Sequence, residues 1–223
     1  MGDLHRLIAF DLDGTLIDSR RDLADSANEL IVELGGSPLP EEAVGGMVGE
    51  GAAVLVRRAL TAAQVEHPPD ALTRFLEIYD RRLLVHTRLY PGVRGPIEKA
   101  REGARVAMLT NKPLHHTERI LEALGLRPLF DDVIGGDSPY GRKPDPAGLQ
   151  ALMAAAGATA GRTLLVGDSA IDHETARRAS VQCCLVAFGF GFESFPKERF
   201  AGDESVVRDA GELTAVIERF LRS

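Results

Sequence analysis

The sequence predicts an α/β protein in which helices cover both faces of a parallel sheet and an all-helical cap domain is inserted. Beyond residue 92, short apolar runs alternate with amphipathic stretches, as right-handed strand–helix–strand crossovers require. A further apolar run stands alone near the N-terminus, and a long stretch of helical pattern separates it from the others. We therefore interpret this stretch as an insertion between the first strand and the rest of the sheet.

The first predicted strand covers residues 6–10 and ends abruptly at Asp11. A helical pattern then runs over residues 18–86, where apolar side chains recur at the spacing of an amphipathic helix. A glycine cluster at residues 45–51 interrupts it, because glycine is unfavourable in a helix interior. The pattern therefore predicts helices on both sides of the cluster and no strand within this region.

The later elements follow the alternation described above. The predicted strands are residues 106–109, 133–134, 164–166 and 184–187. The predicted helices are residues 93–102, 114–124, 147–156 and 171–179, and a last one contains Leu213, Val216, Ile217, Phe220 and Leu221. We accordingly assign residues 1–17 and 88–223 to the core and residues 18–87 to the helical cap domain.

The composition argues against several kinds of partner. The 26 Lys and Arg residues are outnumbered by 33 Asp and Glu, which gives a formal net charge of -7. Because nucleic acids and anionic membranes bind positive surfaces, we expect neither as a partner, and no apolar run has the length of a membrane span. Cys183 and Cys184 are adjacent in a predicted buried strand, and residues 1–10 lack a signal-peptide pattern, so we expect reduced thiols and a cytoplasmic protein.

Polar motifs stand at the ends of four predicted strands or in the loops after them. They contain Asp11 and Asp13, Thr110 and Asn111, Lys143, and finally Asp168 and Asp172. An isolated Asp-x-Asp pair is commonly a loop or a helix cap, so its meaning depends on the other three motifs. Because ligands bind at the carboxyl ends of the strands in open α/β sheets, we expect these side chains to form one site.

The four motifs resemble, in order, those of the haloacid dehalogenase-like superfamily of phosphohydrolases. The matching residues are 11–19, Thr110, Lys143 and 167–172, and the resemblance covers nearly the whole chain. Residues 48–52, 89–93, 110–113 and 133–137 are in addition similar to segments of bacterial phosphoglycolate phosphatases. The resemblance implies a Rossmann-like core with a cap, and hydrolysis of a small phosphorylated metabolite, with 2-phosphoglycolate as the favoured example.

The resemblance also implies a role for each matched residue. Asp11 would be the nucleophile that forms an aspartyl phosphate. Asp13 would protonate the leaving group and then deprotonate the attacking water. Thr110 and the backbone N–H groups around Leu12 would hold the phosphoryl oxygens, and Lys143 completes the catalytic set.

Mg²⁺ is the cofactor that the resemblance implies. Its ligands would be the carboxylates of Asp11 and Asp168 and the backbone carbonyl of Asp13, because Mg²⁺ prefers oxygen ligands. Asp172 could also help to bind the metal, but we expect it to orient Lys143 or Asp168 instead. Four acids must accept a phosphate dianion here, and Mg²⁺ with Lys143 returns three positive charges. Protonation of Asp13 removes the remaining negative charge.

Substrate contacts are expected from Asn111 and from the glycine phrase Gly49-Glu50-Gly51. Glycine lets the backbone come close to an anion. Glu50, however, occupies a position where related phosphoglycolate phosphatases often carry asparagine, and an inward-pointing acid would repel a second carboxylate. We expect Glu50 to point outward or to pair with an arginine such as Arg57.

Two alternative functions and the oligomeric state stay open at this point. The chain could hydrolyse a sugar phosphate or another small monophosphate, or it could act as a phosphoglucomutase-like phosphotransferase, which also needs Asp11 and Asp13. Either a monomer or a homodimer is compatible with the sequence. We expect the adjacent His115 and His116 to be exposed and not to bind metal, because neighbouring side chains on a helix point apart.

Overall fold

A computed structural model describes residues 5–223. Its strands are β1 (Leu7–Phe10), β2 (Ile17–Asp18), β3 (Arg88–Leu89), β4 (Arg105–Leu109), β5 (Asp132–Ile134), β6 (Thr163–Gly167), β7 (Gln182–Val186) and β8 (Ser205–Val207). Its helices are α1 (Arg20–Glu33), α2 (Glu41–Gly45), α3 (Ala52–Ala62), α4 (Ala71–Arg82), α5 (Arg94–Ala100), α6 (Leu114–Ala123), α7 (Ala147–Ala156), α8 (Ala170–Ala179) and α9 (Ala210–Arg222). Four short 3₁₀ turns complete the chain's regular structure in the described range.

The main sheet has six parallel strands in the order β5-β4-β1-β6-β7-β8. β1 lies in the interior of this sheet and is buried on both faces, which is why its sequence is a continuous apolar run. Ile8 and Phe10 pack on one face with α5, α6 and α9, whereas Leu7 and Ala9 pack on the other with α7 and α8. The prediction of a parallel sheet covered on both faces is confirmed.

The sequence patterns do not predict two features of the sheet structure. β2 and β3 form a separate two-stranded antiparallel ribbon, with Ile17 opposite Leu89 and Asp18 opposite Arg88. β8 adds a sixth strand to the main sheet beside β7. The expectation that no strand lies between residue 18 and residue 86 holds except for Asp18, the last residue of β2.

The helical segment, which we define as residues 18–87, contains α1 to α4 and joins the rest of the chain through the ribbon. α1 packs against α4 through buried apolar residues such as Leu30 and Phe75. On the surface of this pair, Glu29 accepts hydrogen bonds from Arg81 and Arg82 at 2.6 to 2.9 Å. No helix in residues 5–223 combines the length and the apolar character needed to cross a membrane.

Asp22 ties the start of α1 to the end of the helical segment. Its fully buried carboxylate accepts hydrogen bonds from the backbone N–H groups of His86 and Thr87 and from the Thr87 hydroxyl, at 2.7 to 3.0 Å. Removing an acceptor that satisfies several buried donors leaves each of them without a partner, and this loss is not compensated by water.

We therefore expect Asp22→Ala to lower the free energy of unfolding by about 3 kcal/mol. Asp25→Ala is the matched control on the same helix, since its carboxylate is partly exposed and 3.9 Å from Arg21. It should change the free energy by less than about 0.5 kcal/mol. Urea denaturation of the three proteins measures both values, and equal losses for the two variants would contradict the role of Asp22.

Candidate active site

The predicted acids and hydroxyl meet at one edge of the sheet because the strands are parallel. Asp11 follows β1, Thr110 follows β4 and Asp168 follows β6, and these three strands are neighbours. All three side chains are at least nine-tenths buried and line a single cavity together with Asp13. The topology thus brings together residues that are up to 157 positions apart in the sequence (11 to 168).

Lys143 connects two of the acids. Its ammonium nitrogen lies 2.8 Å from Asp11 Oδ1 and 2.6 Å from Asp172 Oδ1, and all three side chains are buried. Although burial opposes it, these two carboxylates raise the pKa of Lys143, so the lysine stays charged. Burial raises the pKa of Asp11 to about 6, and Lys143 limits that rise.

Asp172 is placed where the sequence analysis expected it, behind Lys143. Its second carboxylate oxygen accepts hydrogen bonds from the Ser169 N–H and hydroxyl at 3.1 and 2.6 Å. Ser169 and Asp172 form the capping box that begins α8, so the turn between Asp168 and the helix is held from both sides. Because one carboxylate oxygen of Asp172 contacts Lys143 and the other accepts hydrogen bonds from Ser169, Asp172 links the lysine to the start of α8.

The surroundings of Asp168 fit a divalent cation. Its Oδ2 accepts the Gly191 N–H at 2.7 Å, and the Thr15 hydroxyl lies 3.5 Å from its Oδ1. Burial raises the pKa of Asp168 well above its ordinary value, and the nearby carboxylates of Asp172 and Asp11 add to this rise. Carboxylate oxygens of Asp11, Asp168 and Asp172 come within 4.8 Å of one another, and an all-oxygen donor set is what Mg²⁺ prefers.

Asp13 is held by two donors that lie within the matched motifs but were assigned no role there. The Ser19 hydroxyl donates to its Oδ1 at 2.5 Å, and the Lys112 ammonium lies 2.9 and 3.0 Å from its two carboxylate oxygens. Lys112 is buried, and Asp13 raises its pKa against the effect of burial. Lys112 lies within residues 110–113, a segment similar to phosphoglycolate phosphatases, but this similarity assigns it no role.

Thr110 and Leu12 contribute differently to the site. Thr110 lines the cavity, and its hydroxyl accepts the Lys112 N–H at 3.3 Å. The Leu12 side chain is completely buried in the core, so only its backbone can take part in binding. Its carbonyl accepts N–H groups from the turn that leads from β1 into β2, including that of Leu16 at 2.9 Å.

Asn111 holds two loops together in this structure. Its side-chain NH₂ donates to the carbonyls of Gly49 and Lys143 at 2.8 and 2.9 Å, and its Oδ1 accepts the Lys143 N–H at 2.8 Å. Both amide hydrogens are therefore used by backbone, which leaves none for the substrate contact that the sequence analysis expected. The positive φ values of Gly49 (116°) and Gly51 (90°) suit glycine, and a Cβ on Gly51 would lie 3.3 Å from the Asn111 carbonyl.

Glu50 points away from the cavity that its neighbours Gly49 and Gly51 line. Its carboxylate pairs with Arg58, nearly two turns into α3, and its side chain is 43% exposed. The expectation of an outward or paired acid agrees with this geometry, but the partner is Arg58 and not the exposed Arg57. Because an exposed ion pair contributes little to stability, the arrangement mainly fixes the direction of the acid.

The cavity lies between the helical segment and the strand ends. Its apolar wall comes from α1, α3, α4 and the loops beside them, and consists of Leu23, Val48, Ala52, Leu55, Phe75, Leu76, Pro113 and Phe190. Tyr79, Lys112 and His116 also line it. The expected exposure is correct for His115 and wrong for His116, which is buried because the first turn of α6 faces the cavity.

Three comparisons describe what the chain is similar to. Residues 5–180 match the family model of the haloacid dehalogenase-like hydrolases. A phosphoglycolate phosphatase from Pseudomonas putida is 42% identical to this chain, and the match covers 85% of this chain and 72% of that protein. A phosphoglycolate phosphatase from Rhodospirillum rubrum is 40% identical, and the match covers 84% of this chain and 82% of that protein. The crystal structure of a predicted phosphoglycolate phosphatase from Haemophilus somnus superposes with a TM-score of 0.86 at 31% identity, covering 95% of this chain and 97% of the other.

Proposed function

Because the chain belongs to the haloacid dehalogenase-like hydrolases and is a phosphoric monoester hydrolase, we propose that it hydrolyses 2-phosphoglycolate to glycolate and phosphate in a Mg²⁺-dependent reaction. The observation that carries this proposal is the pair of carboxylates after β1, of which the buried Asp11 contacts Lys143 and the partly buried Asp13 contacts Lys112. Two acids with different partners at one cavity suit the two roles that phosphoryl transfer through a carboxylate requires.

Asp11 is the nucleophile in this mechanism. Lys143 holds one of its oxygens at 2.8 Å and keeps the carboxylate in place for attack on phosphorus. The bond from Asp11 to phosphorus forms as the ester bond breaks, and the electron pair of that bond goes to the leaving oxygen. Asp13 supplies a proton to this oxygen, so glycolate leaves with its hydroxyl group restored.

Hydrolysis of the aspartyl phosphate then regenerates the enzyme. Asp13 takes a proton from water, the water oxygen attacks phosphorus, and the bond to Asp11 breaks with its electron pair returning to the carboxylate. The Thr110 hydroxyl and the backbone of Leu12 hold phosphoryl oxygens. Asp11, Asp168 and the Asp13 carbonyl would bind Mg²⁺, which supplies positive charge to the phosphoryl group when bound.

We further propose that the helical segment acts as a cap domain, residues 18–87, on a core made of residues 1–17 and 88–223, of which residues 1–4 lie outside the described residues. The contact between Asn111 and the Gly49 carbonyl supports this, since it joins the loop before α3 to the end of β4. A closed cap excludes bulk water from the aspartyl phosphate and strengthens the electrostatic interactions within the site.

A screen for phosphate release tests the substrate. It should contain 2-phosphoglycolate, 2-hydroxyethyl phosphate, hexose phosphates, pyrophosphate and nucleoside monophosphates. We expect the highest kcat/KM for 2-phosphoglycolate, because the apolar wall of the cavity offers few partners for the hydroxyls of a sugar. A hexose phosphate with the higher kcat/KM would replace 2-phosphoglycolate as the substrate and leave the phosphatase activity standing.

Glu50→Asn tests whether the acid in the glycine phrase faces the substrate. Since Glu50 pairs with Arg58 outside the cavity lining, we expect kcat/KM to change by less than about threefold both for 2-phosphoglycolate and for 2-hydroxyethyl phosphate. A large gain for 2-phosphoglycolate alone would mean that Glu50 opposes the carboxylate. That result would favour a natural substrate without a second acidic group.

A further inference from the structure

A polar corner of the cavity has no function in the mechanism described above. It is formed by Lys112 after β4, Tyr79 on α4 and His116 on α6. Each of these side chains is more than nine-tenths buried. The Tyr79 and His116 rings are 5.4 Å apart, and the Lys112 ammonium lies 4.8 Å from the centre of the Tyr79 ring.

Hydrogen-bonding capacity in this corner is left unused. The Tyr79 hydroxyl and the His116 Nδ1 have no well-aligned hydrogen-bond partner among the described residues, although the Lys112 ammonium is near enough to the hydroxyl to limit the rise in the pKa of Tyr79. His116 Nε2 lies 3.1 Å from Asp80 Oδ1, so this nitrogen faces a carboxylate and only Nδ1 is directed to other acceptors or donors. Buried polar groups are nearly always paired, so an unpaired hydroxyl and imidazole beside a cavity point to a ligand that completes them.

The positive charge of Lys112 in this corner favours a negatively charged ligand. Among the described residues that line the cavity, Lys112 is the one Lys or Arg, and the cap-side wall is apolar. An ammonium group has three N–H donors, and Asp13 occupies one or two of them at 2.9 and 3.0 Å. The donor that Asp13 does not occupy is directed toward Tyr79, and a charged acceptor that enters the cavity would compete for it with a stronger hydrogen bond.

Tyr79 and His116 can both donate a hydrogen bond in this environment. Burial raises the pKa of Tyr79 to about 12, so its hydroxyl keeps the proton. Burial lowers the pKa of His116, and the neutral imidazole still has one N–H. An acceptor placed between these side chains would therefore meet an ammonium, a hydroxyl and an imidazole.

We propose that Lys112, Tyr79 and His116 form a carboxylate-binding subsite that selects short phosphate esters with an acidic group close to the ester oxygen. This inference deepens the proposed function and rests on it. Lys112 contacts Asp13, which meets the ester oxygen during the reaction, and in 2-phosphoglycolate the carboxylate carbon is two bonds from that oxygen. The substrate's acidic end therefore reaches Lys112 when its phosphoryl group is at Asp11.

The principal competing role for Lys112 is to position Asp13 alone. In that case every phosphate ester depends on Lys112 equally, whatever the other end of the substrate carries. A carboxylate subsite instead affects 2-phosphoglycolate more than 2-hydroxyethyl phosphate, which has a neutral hydroxyl in place of the carboxylate. The ratio of kcat/KM for these two substrates separates the two roles.

Tyr79→Phe is the first variant to measure, because it removes the hydroxyl and keeps the ring that stacks on Phe75 and lies beside Lys112. We expect the kcat/KM ratio of 2-phosphoglycolate to 2-hydroxyethyl phosphate to fall by about tenfold or more, the usual loss for a hydrogen bond to a charged group. Tyr140→Phe is the matched control, since Tyr140 is 44% exposed and does not line the cavity. An unchanged ratio in Tyr79→Phe would overturn the subsite.

Lys112→Met extends the test to the cation. We expect the same ratio to fall by about 100-fold or more, with a rise in KM for 2-phosphoglycolate. An equal loss for both substrates would assign Lys112 to Asp13 alone and refute its part in the subsite. For His116→Gln a smaller fall in the ratio is expected, and the exposed His115→Gln serves as its control.

Calorimetric titration with glycolate tests the carboxylate-binding subsite independently of the proposed phosphatase activity. Glycolate carries the carboxylate without the phosphate, so its binding does not depend on turnover. Weaker binding to Tyr79→Phe than to Tyr140→Phe would support the subsite even if no phosphate ester were hydrolysed. Equal binding to the two variants would overturn the subsite even if 2-phosphoglycolate proved to be a good substrate.

Discussion

Asp11→Asn is expected to reduce phosphate release by about 10⁴-fold or more, to the background of the assay. The amide of asparagine cannot attack phosphorus as the carboxylate does, so no aspartyl phosphate can form. The fold should survive, because Asn is similar in size and Lys143 keeps its contact with Asp172 at 2.6 Å. Thermal unfolding and phosphate release, measured on the same preparation, check both statements.

Two further measurements make this test decisive. Asp70→Asn, at an exposed position before α4, is the matched control and should retain normal turnover. Mass spectrometry of enzyme quenched in acid during turnover should find a phosphoryl group on the peptide that contains Asp11. Near-normal turnover of freshly purified Asp11→Asn, with its mass verified, would contradict the covalent mechanism.

Removal of divalent cations is the second change with a very large expected effect. Chelation should abolish phosphate release and Mg²⁺ should restore it, since Asp11, Asp168 and Asp172 are buried together and Lys143 offsets one of their three negative charges. Ca²⁺ should inhibit, because its larger and less rigid coordination shell places the ligands differently. Full activity in excess chelator would contradict the metal requirement.

A readout that does not depend on turnover accompanies this experiment. A cation that binds only the folded chain raises the melting temperature, so Mg²⁺ should stabilise the wild type and Asp70→Asn but not Asp168→Asn. Metal binding needs deprotonated carboxylates, and burial raises the pKa of Asp11 to about 6. The stabilisation by Mg²⁺ should therefore weaken as the pH falls through 6, and an increase at lower pH would contradict the assignment.

The sequence predicted the elements whose patterns are local and strong. β1 is an uninterrupted apolar run, and α7 and α9 show regular helical spacing, so their positions agree with the structure to within a few residues. β2 and β3 have only two residues each, which is too short for any periodicity, and β8 has three. Their existence depends on partners across the sheet, and a single sequence does not contain that information.

Within the candidate site, too, local motifs are predictable from the sequence, whereas contacts between distant residues are not. Asp11, Asp13, Lys143 and Asp168 are predicted because they belong to motifs that follow predicted strands and resemble, in order, those of a known superfamily. The role of Lys112 depends on a contact with a residue 99 positions earlier in the chain, and the burial of His116 depends on packing between α4 and α6. Neither contact has a local pattern, although the Thr110 motif already contained Lys112 and could have directed attention to it.

The ribbon of β2 and β3 limits how the helical segment can move. Both connections to the core run side by side, with Ile17 opposite Leu89, so they act as one double-stranded hinge. The contacts of Asp22 with His86 and Thr87, and of Glu29 with Arg81, lie within the segment and travel with it. Opening of the proposed cap domain would then pivot on this ribbon. Such a movement would separate Asn111 from Gly49 and Lys112 from Tyr79 together, so release of product and entry of water into the cavity would be coupled.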